Sequence, residues 1–267
     1  MKERKKIGLA LGSGAVRGLA HIGVIKALTK HGIPIDYIAG SSIGAWVGAH
    51  YALYMDIRKT EEFTVGKKKE KLLSFLEPSM SGGFIGGEKI EILLDDWLGI
   101  SYFKDTKIPI RIIATDLVGG EPVIFDRGRL GFATRASMAI PGLFVPVKFE
   151  DKILVDGGVS NPVPDDVVKA MGADIVIAVN LDNFQEQDAF TDADLNLNRV
   201  AIRSSEIMRH YLAKYSMKDS DIIIQPKLKR YSSWREYFMK DVGGEIAKIG
   251  EQEAEKAIPQ IIKLMGS

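Results

Sequence analysis

The sequence predicts an α/β fold on a mainly parallel β-sheet, because its first 40 residues read as one strand–helix–strand unit. Residues 7–11 are apolar and end at Gly12, which predicts a buried strand. Apolar residues at helical spacing over residues 19–30, followed by Gly32, predict a helix. Residues 37–39 predict the end of a second strand, and a βαβ unit of this kind brings its two strands parallel.

Length and composition indicate a globular protein with a sizeable core. The chain has 267 residues, 46% of them apolar, without an internal repeat or a linker, so we predict one domain over residues 1–267. The formal net charge of +1 gives no bulk electrostatic reason to expect a nucleic-acid partner. The absence of cysteine excludes disulfides, thiolate catalysis and cysteine-based metal sites.

The N-terminal residues imitate a short signal peptide, with basic residues 2–6 before apolar residues 7–16. Glycines interrupt the apolar run, Arg17 ends it, and no A-x-A cleavage site follows. A buried strand that enters a glycine-rich turn explains the same residues better. No apolar run approaches the ~18 residues that a membrane-spanning helix needs. We therefore expect a cytoplasmic protein.

Residues 40–44, Gly-Ser-Ser-Ile-Gly, fit the G-x-S-x-G pattern and carry the main functional hypothesis. They stand between the strand end at 37–39 and an apolar stretch, 45–54, that predicts a buried helix. A nucleophile elbow requires this strand–turn–helix context. The sharp turn would strain Ser42 and hold its hydroxyl at the helix N-terminus, where amide dipoles favour negative charge. The alternative is a turn in which Ser41 or Ser42 caps the helix.

The glycine-rich turn over residues 12–18 allows two interpretations. It begins like the dinucleotide fingerprint G-x-G-x-x-G, but Arg17 stands where the third glycine is required, and Gly18 comes one place late. Alternatively, consecutive small residues turn their backbone N–H groups toward one point and form an oxyanion hole. An elbow serine on the next strand would lie beside that point, so the turn and the elbow explain each other.

Residues 56–105 are a candidate cap over the site. The segment is basic, residues 72–76 are apolar, and residues 80–87 are rich in glycine. Residues 88–98 predict a helix. Glycine hinges, apolar residues for an acyl chain and lysines for an anionic surface would suit a mobile lid. The alternative is a helical excursion that meets only solvent.

The rest of the chain continues the alternation of strands and helices. A predicted hairpin ends in Asp156, which two glycines follow; this carboxylate either approaches another backbone closely or begins a tight turn. Residues 182–194 are acidic and predict a loop, and residues 243–265 predict one or two helices broken near Pro259. The strands predicted after the cap are 108–117, 121–125, 145–149, 153–155, 175–181 and 221–225, and the helices before Pro259 are 131–139, 167–171 and 196–217.

Basic and aromatic residues are interleaved over residues 227–240. This composition suits a membrane interface, so peripheral membrane contact is one interaction that the sequence suggests. The alternative is structural, because Trp234, Tyr237 and Phe238 also fit one buried face of a helix.

The base that would activate Ser42 is not marked by a histidine motif. The usual base of a serine nucleophile is a histidine held by an acid. Of four histidines, only His210 follows Asp156 and would complete the chain order Ser–Asp–His, and no motif surrounds it. The economical hypothesis is a Ser42–Asp156 dyad in which the carboxylate takes the proton directly. An ordinary aspartate has a pKa of about 3.9 and is a weak base at neutral pH, so positioning has to contribute.

Together these motifs resemble those of the patatin-like phospholipase family. Residues 12–18 match its oxyanion turn, residues 40–44 its nucleophile elbow, and residues 156–158 its catalytic aspartate motif, in the family's order. Residues 136–144 are similar to a further family stretch. The match covers residues 7 to about 165 and is weaker toward the C-terminus.

The resemblance implies a three-layer α/β/α sandwich with a mainly parallel central sheet, and hydrolysis of lipid acyl esters without a metal or another cofactor. Carried over by position, Ser42 is the nucleophile, Asp156 is the base, and Arg17 supports the turn or contacts a phosphate. Ser13 departs from the family, in which many members have glycine. The implied oxyanion-hole residues are Gly12, Ser13, Gly14 and Ala15, with the amides of Gly14 and Ala15 as the expected donors. The implied supporting residues are Arg17, Gly18, Gly40, Gly44, Gly157 and Gly158.

We therefore expect a serine acyl hydrolase of the lipase, phospholipase or lysophospholipase type that forms a covalent acyl-enzyme. Two alternatives from other classes stay open. One is a catalytically idle relative that binds a lipid or a protein through the same pocket, which hydrolysis of p-nitrophenyl esters would contradict. The other is a nucleotide-binding α/β protein that uses the turn at Gly12, and Arg17 at the third glycine position speaks against it.

Overall fold

A mixed β-sheet forms the centre of the structure, which is a computed structural model. The structure describes residues 4–66, 82–182, 190–192, 195–228 and 242–266. The side chains of residues 84 and 198 are not described. In chain order the strands are β1 (Ile7–Leu11), β2 (Tyr37–Ser41), β3 (Gly83–Ile85), β4 (Ile110–Asp116), β5 (Pro122–Phe125), β6 (Gly142–Phe144), β7 (Val147–Phe149), β8 (Lys152–Asp156), β9 (Ile175–Val179) and β10 (Ile222–Ile224). The sheet has the order β10-β9-β1-β2-β4-β8-β7, with β5 also paired to β4, while β3 and β6 form a separate pair.

The direction of the strands confirms the predicted, mainly parallel sheet. The strands β10, β9, β1, β2 and β4 are all parallel to one another. The strands β5, β7 and β8 are antiparallel additions at one side, and β7 and β8 form the predicted hairpin. Parallel strands place their carboxyl ends at one edge of the sheet, so β1 and β2 deliver the residues that follow them to the same edge.

Helices cover both faces of this sheet, which confirms the α/β/α sandwich. In chain order they are α1 (Ala20–Lys30), α2 (Ile43–Tyr54), α3 (Ile57–Val65), α4 (Glu88–Leu98), α5 (Leu130–Ser137), α6 (Asp165–Ala170), α7 (Leu197–Tyr215) and α8 (Gly243–Gly266). Alternate side chains of β1 point to opposite faces. Leu9 and Leu11 belong to the larger core with α1, α2 and α8, whereas Ala10 belongs to a smaller core with Val167 and Val168 of α6.

The C-terminal helix differs from its prediction. One continuous helix, α8, runs from Gly243 to Gly266 with Pro259 inside it, so the predicted break is wrong. Proline removes one backbone donor and is unfavourable in a helix interior. Ile258 and Ile261 on either side of it are buried, and α8 packs along α1. The burial of this apolar face offsets the local penalty, because packing rather than propensity supplies most helix stability.

The described part of the candidate cap contains the helices α3 and α4 and the strand β3. The helix α3 packs on α1 and α2, and α4 packs on α5. Trp97 of α4 is buried and meets Trp46 of α2 edge-on, with ring centroids 4.4 Å apart. Residues 67–81, with most of the predicted lysines and part of the glycine-rich run, lie outside the described residues. The lid over residues 56–105 and the single-domain organisation therefore stay predictions.

Two other predicted segments fall largely outside the described residues. These are the acidic loop, of which residues 183–189, 193 and 194 are not described, and the basic and aromatic segment, of which residues 229–240 are not described. Within the ranges given above, no helix combines the length and the apolar character that crossing a bilayer requires.

Candidate active site

Ser42 occupies the sharp turn between β2 and α2. Its backbone has φ 57° and ψ −124°, and a φ of this sign is strained for a residue with a side chain. A Cβ on Gly44 would lie 2.1 Å from the carbonyl oxygen of Leu11, so glycine is needed where the turn passes β1. The Ser42 side chain makes no capping hydrogen bond to α2, and Ser41 Oγ donates to the Asn161 carbonyl (2.6 Å) instead. The capping alternative is therefore wrong.

The side chains of Ser42 and Asp156 meet although 114 positions separate them. Ser42 Oγ donates a hydrogen bond of 2.5 Å to Asp156 Oδ2, and both residues are buried. The register of β4 brings them together, because Ile113 pairs with Ser41 and the next residue, Ala114, pairs with Asp156. Both Ile113 and Ala114 pair with β5 on their other side, so β2 and β8 meet end to end along one edge of β4.

The elbow is anchored by a hydroxyl that sequence reasoning missed. The Ser42 N–H donates to Ser137 Oγ at 2.8 Å, and Ser137 is the last residue of α5. This bond occupies the backbone donor of the strained residue and fixes the elbow to a neighbouring helix. The only sequence signal for Ser137 was its place in the stretch 136–144, which resembles a family motif.

Asp156 is held by two further hydrogen bonds. The Gly158 N–H donates to its Oδ1 at 2.8 Å, and Thr115 Oγ1 donates to its backbone carbonyl at 2.9 Å. Burial raises the pKa of Asp156 to about 6, while the hydrogen bonds from Ser42 and Gly158 oppose this rise. At neutral pH the carboxyl group is thus mostly ionised and is a stronger base than an ordinary aspartate.

The turn after β1 is the candidate oxyanion hole. The N–H groups of Gly12 and Ser13 donate to a carbonyl of β9 (3.1 Å) and to the Pro162 carbonyl (2.8 Å), so the fold already uses them. Gly14 and Ala15 line the same cavity as Ser42. Ala15 has φ 50°, which turns the backbone sharply at this point. These contacts narrow the candidate donors from four residues to Gly14 and Ala15.

A buried carboxylate, Asp182, ties this turn to α7. Its Oδ2 accepts from Ser13 Oγ (2.9 Å), and its Oδ1 accepts from Arg17 Nη2 (3.1 Å) and Arg209 Nε (2.8 Å). Arg17 also donates from Nε to the Gly14 carbonyl (3.3 Å), so its contacts are those of turn support. Sequence reasoning missed Asp182 and Arg209, although an aspartate soon after a buried strand was an available signal.

The four histidines make their hydrogen bonds away from the Ser42–Asp156 contact. Burial lowers the pKa of His21 to about 4, so this side chain is neutral. The pKa of His50 is also lowered to about 4, first by burial and then by the charge of Lys59. The bonds are His21 Nε2 to the Gly12 carbonyl (2.8 Å), His31 Nε2 to Glu255 (2.7 Å), His50 Nδ1 to Thr60 (2.8 Å) and His210 Nδ1 to the Asp182 carbonyl (2.8 Å).

Ser42, Asp156 and residues 13–15 of the glycine turn line one cavity of about 610 Å³. Its size is typical of small-molecule sites. Residues of α3 and α4 do not contribute to its lining. Besides Ser42, Asp156, Gly158 and residues 13–15 of the glycine turn, the described lining residues are apolar Ile140, Pro141, Val159, Met208 and Leu212, and polar Ser205 and Arg209. A second cavity, of about 680 Å³, is lined by Tyr37 and Ile110, the first residues of β2 and β4, and so lies at the other end of the strands.

The predicted supporting glycines lie where backbones approach closely. A Cβ on Gly157 would be 2.1 Å from the Ile113 carbonyl oxygen, where the end of β8 approaches β4. A Cβ would come closer than 3.0 Å to a neighbouring heavy atom at each of Gly12, Gly14, Gly18, Gly40, Gly44, Gly157 and Gly158. Among the residues that the structure describes, no group of three or more acidic or histidine side chains could hold a metal ion.

Comparisons with known proteins find relatives in bacteria and in fungi. An uncharacterized NTE family protein of Mycobacterium tuberculosis is 40% identical over 223 residues, which are 80% of this chain and 60% of that protein. Lysophospholipase nte1 of Aspergillus fumigatus is 32% identical over 188 residues, 68% of this chain and 12% of that protein. The chain thus spans less than two thirds of the length of these relatives.

A solved structure and a family profile complete the comparison. VipD from Legionella pneumophila has a TM-score of 0.56 at 14% identity, covering 98% of this chain and 67% of that chain, which supports the fold alone. The profile described as Patatin-like phospholipase matches residues 9–168, more than half of the chain and the part that contains Ser42 and Asp156. The chain therefore belongs to the patatin-like phospholipase family.

Proposed function

We propose that this protein is a serine acyl hydrolase that cleaves acyl esters of lipids through Ser42 and Asp156. The observation that carries the proposal is the 2.5 Å hydrogen bond between Ser42 Oγ and Asp156 Oδ2 at the wall of a cavity. Family membership and a relative named as a lysophospholipase support the same reaction class. Because the chain spans only part of that relative, its activity and its substrate both belong to the proposal.

The proposed reaction has two halves. Asp156 first takes the proton of the Ser42 hydroxyl, and the Ser42 oxygen bonds to the ester carbonyl carbon, whose oxygen becomes an oxyanion. The bond to the leaving alcohol oxygen then breaks, and Asp156 gives the proton to that oxygen, which leaves Ser42 acylated. In the second half, water attacks the acyl carbon while Asp156 takes its proton, and the proton returns to Ser42 as the fatty acid leaves.

Two features support this chemistry. The raised pKa of Asp156, about 6, makes the carboxylate a better proton acceptor without keeping it protonated at neutral pH. Gly14 and Ala15 line the cavity, so we assign their N–H groups as the donors that would stabilise the oxyanion, each by about 10²–10³-fold in rate. The N-terminus of α2, which begins beside Ser42, adds the positive end of a helix dipole.

The cavity suits an acyl ester with an anionic head group. Its apolar lining residues would bury part of an acyl chain. Arg209 lies in the same lining, and its guanidinium offers hydrogen-bond donors and a positive charge to a phosphate. We therefore propose phospholipids or lysophospholipids as the substrate class.

A fluorophosphonate probe tests the nucleophile directly. We expect it to label Ser42, and Ser42→Ala to lose both labelling and hydrolysis of p-nitrophenyl butyrate. The matched control is Ser41→Ala, because the neighbouring hydroxyl donates to the Asn161 carbonyl and not to Asp156, and it should retain labelling. Folded protein that is neither labelled nor able to hydrolyse a panel of p-nitrophenyl esters would instead favour the idle, lipid- or protein-binding alternative.

A further inference from the structure

The helix α7 carries a row of exposed apolar side chains. The exposed fractions are 90% for Leu197, 65% for Met208, 59% for Tyr211 and 70% for Tyr215, and Val200 is also exposed. At 100° per residue these five positions fall within a sector of roughly 80°, so they form one face of the helix. We call this face the apolar stripe. Residues His210 and Ala213, on the other side of α7, are buried.

The apolar stripe continues into the cavity that contains Ser42. Met208 belongs to both, since it is exposed and also lines the cavity. The neighbouring face of α7 contributes Ser205, Arg209 and Leu212 to the cavity lining. The apolar stripe therefore runs along the rim of the cavity and meets it at Met208.

The same helix concentrates positive charge. The helix α7 contains four basic residues and one acidic residue, and Lys218 follows its end, although the whole chain has a formal net charge of only +1. The Lys214 ammonium lies 5.7 Å from the centre of the Tyr211 ring, and the Lys218 ammonium lies 5.5 Å from the centre of the Tyr215 ring. Tyrosine beside lysine suits the boundary between an apolar phase and anionic head groups, where the ring is buried and the ammonium stays solvated.

We propose that the apolar stripe of α7 docks this protein on an anionic lipid bilayer, with the mouth of the cavity turned toward the lipid. The inference rests on the proposed function, because this orientation brings a lipid acyl ester to Ser42. The positive charge of α7 favours a bilayer over a second copy of the chain as the partner of the apolar stripe. A symmetric contact would place two positively charged helices together, whereas anionic head groups attract each basic residue near the surface.

Sedimentation with vesicles tests this surface. Wild-type protein should bind vesicles of phosphatidylcholine and phosphatidylglycerol in equal parts, more weakly at high salt and more weakly on phosphatidylcholine alone. Tyr211→Ser/Tyr215→Ser should weaken binding by roughly tenfold or more, because both rings lose their buried area at the interface. Lys214→Gln and Lys218→Gln should each weaken binding to the anionic vesicles by about fivefold.

The controls separate this inference from the proposed function. Ile223→Ser/Ile262→Ser removes two exposed apolar side chains elsewhere and should bind as wild type does. Hydrolysis of soluble p-nitrophenyl butyrate should be equal in the wild type and Tyr211→Ser/Tyr215→Ser, which also establishes that the variant is folded. Ser42→Ala should bind vesicles normally, so failed hydrolysis and failed docking are distinct results.

Three outcomes would overturn the inference. The first is vesicle binding by Tyr211→Ser/Tyr215→Ser that equals wild-type binding. The second is an equal loss of binding in Ile223→Ser/Ile262→Ser. The third is a wild-type dimer in gel filtration that Tyr211→Ser/Tyr215→Ser converts to a monomer without any change in vesicle binding, which would make the apolar stripe a contact between copies.

Discussion

Replacing Asp156 with asparagine should stabilise the protein while it removes the proposed base. Asparagine has nearly the shape of aspartate, can accept the Gly158 N–H at Oδ1 as aspartate does, and can donate to Ser42 Oγ. It cannot ionise. Burial raises the pKa of Asp156 from 3.8 to about 6, so the ionised carboxylate is disfavoured in the folded state relative to the unfolded chain.

The size and the sign of this effect follow from linkage. One pKa unit corresponds to about 1.4 kcal/mol, so the difference between about 4 and about 6 is worth about 3 kcal/mol. A raised pKa adds stability that is complete below the unfolded-state value and is lost as the pH rises through the folded-state value. As the pH rises, ionisation of Asp156 should thus lower the free energy of unfolding of the wild type by about 3 kcal/mol, mostly between about pH 4 and about pH 7. Asp156→Asn should not show this loss, because asparagine does not ionise.

Urea denaturation of both proteins at several pH values measures this difference. The other titrating groups change the free energy of unfolding of both proteins by the same amount at each pH. Subtracting the wild-type value from the Asp156→Asn value therefore leaves the contribution of the Asp156 carboxyl group. The difference should rise by about 3 kcal/mol from low to neutral pH, and kcat should fall by at least about 10²-fold. A difference that does not vary with pH would refute the raised pKa of Asp156.

The remaining predictions concern the base and its surroundings. The rate constant kcat/KM for a neutral soluble ester should fall below about pH 6 as Asp156 is protonated, and a level profile down to about pH 4 would contradict that role. The charge of Arg209 lowers the pKa of Asp156, so Arg209→Gln should move this acid limb to higher pH, while Arg209→Lys should move it less. Asp182→Asn leaves Arg17 and Arg209 without their carboxylate, and urea denaturation should detect a loss of about 3 kcal/mol. His210→Gln should keep kcat within a few-fold of the wild type, because its Nδ1 bonds to the Asp182 carbonyl; a loss of about 10³-fold would favour a triad.

Local patterns were sufficient to predict most of the secondary structure. The strand–helix–strand start, the hairpin before Asp156 and the long helix after residue 196 all occur, because each has a clear period or a clear boundary in the sequence. The break predicted at Pro259 does not occur, because burial of the apolar helix face outweighs the low helix propensity of proline. The sequence shows the proline but not the burial. The helix α3 was missed for the opposite reason, since its apolar residues are few and its start depends on capping by Asp56.

The residues of the candidate site also fall into those that the sequence identified and those that only the structure revealed. Ser42, the glycine turn and Asp156 with its two glycines were recognisable in the sequence, because a strained turn or a close backbone approach restricts the residue types that fit. Ser137, Thr115, Asp182 and Arg209 were not, because a serine, a threonine or a charged residue fits many surroundings and acquires its role only from the atoms it meets.

The sequence by itself determined the class of fold, the order of its elements and three short motifs, since these depend on hydrophobic period and on steric limits within a few residues. Only the tertiary structure decided that Ser42 and Asp156 touch, because that contact depends on which residues of β4 pair with β2 and with β8. It alone also decided the pKa of Asp156 and the place of α7 along the rim of the cavity. Burial and the meeting of distant segments are properties of the packed chain, and no local pattern encodes them.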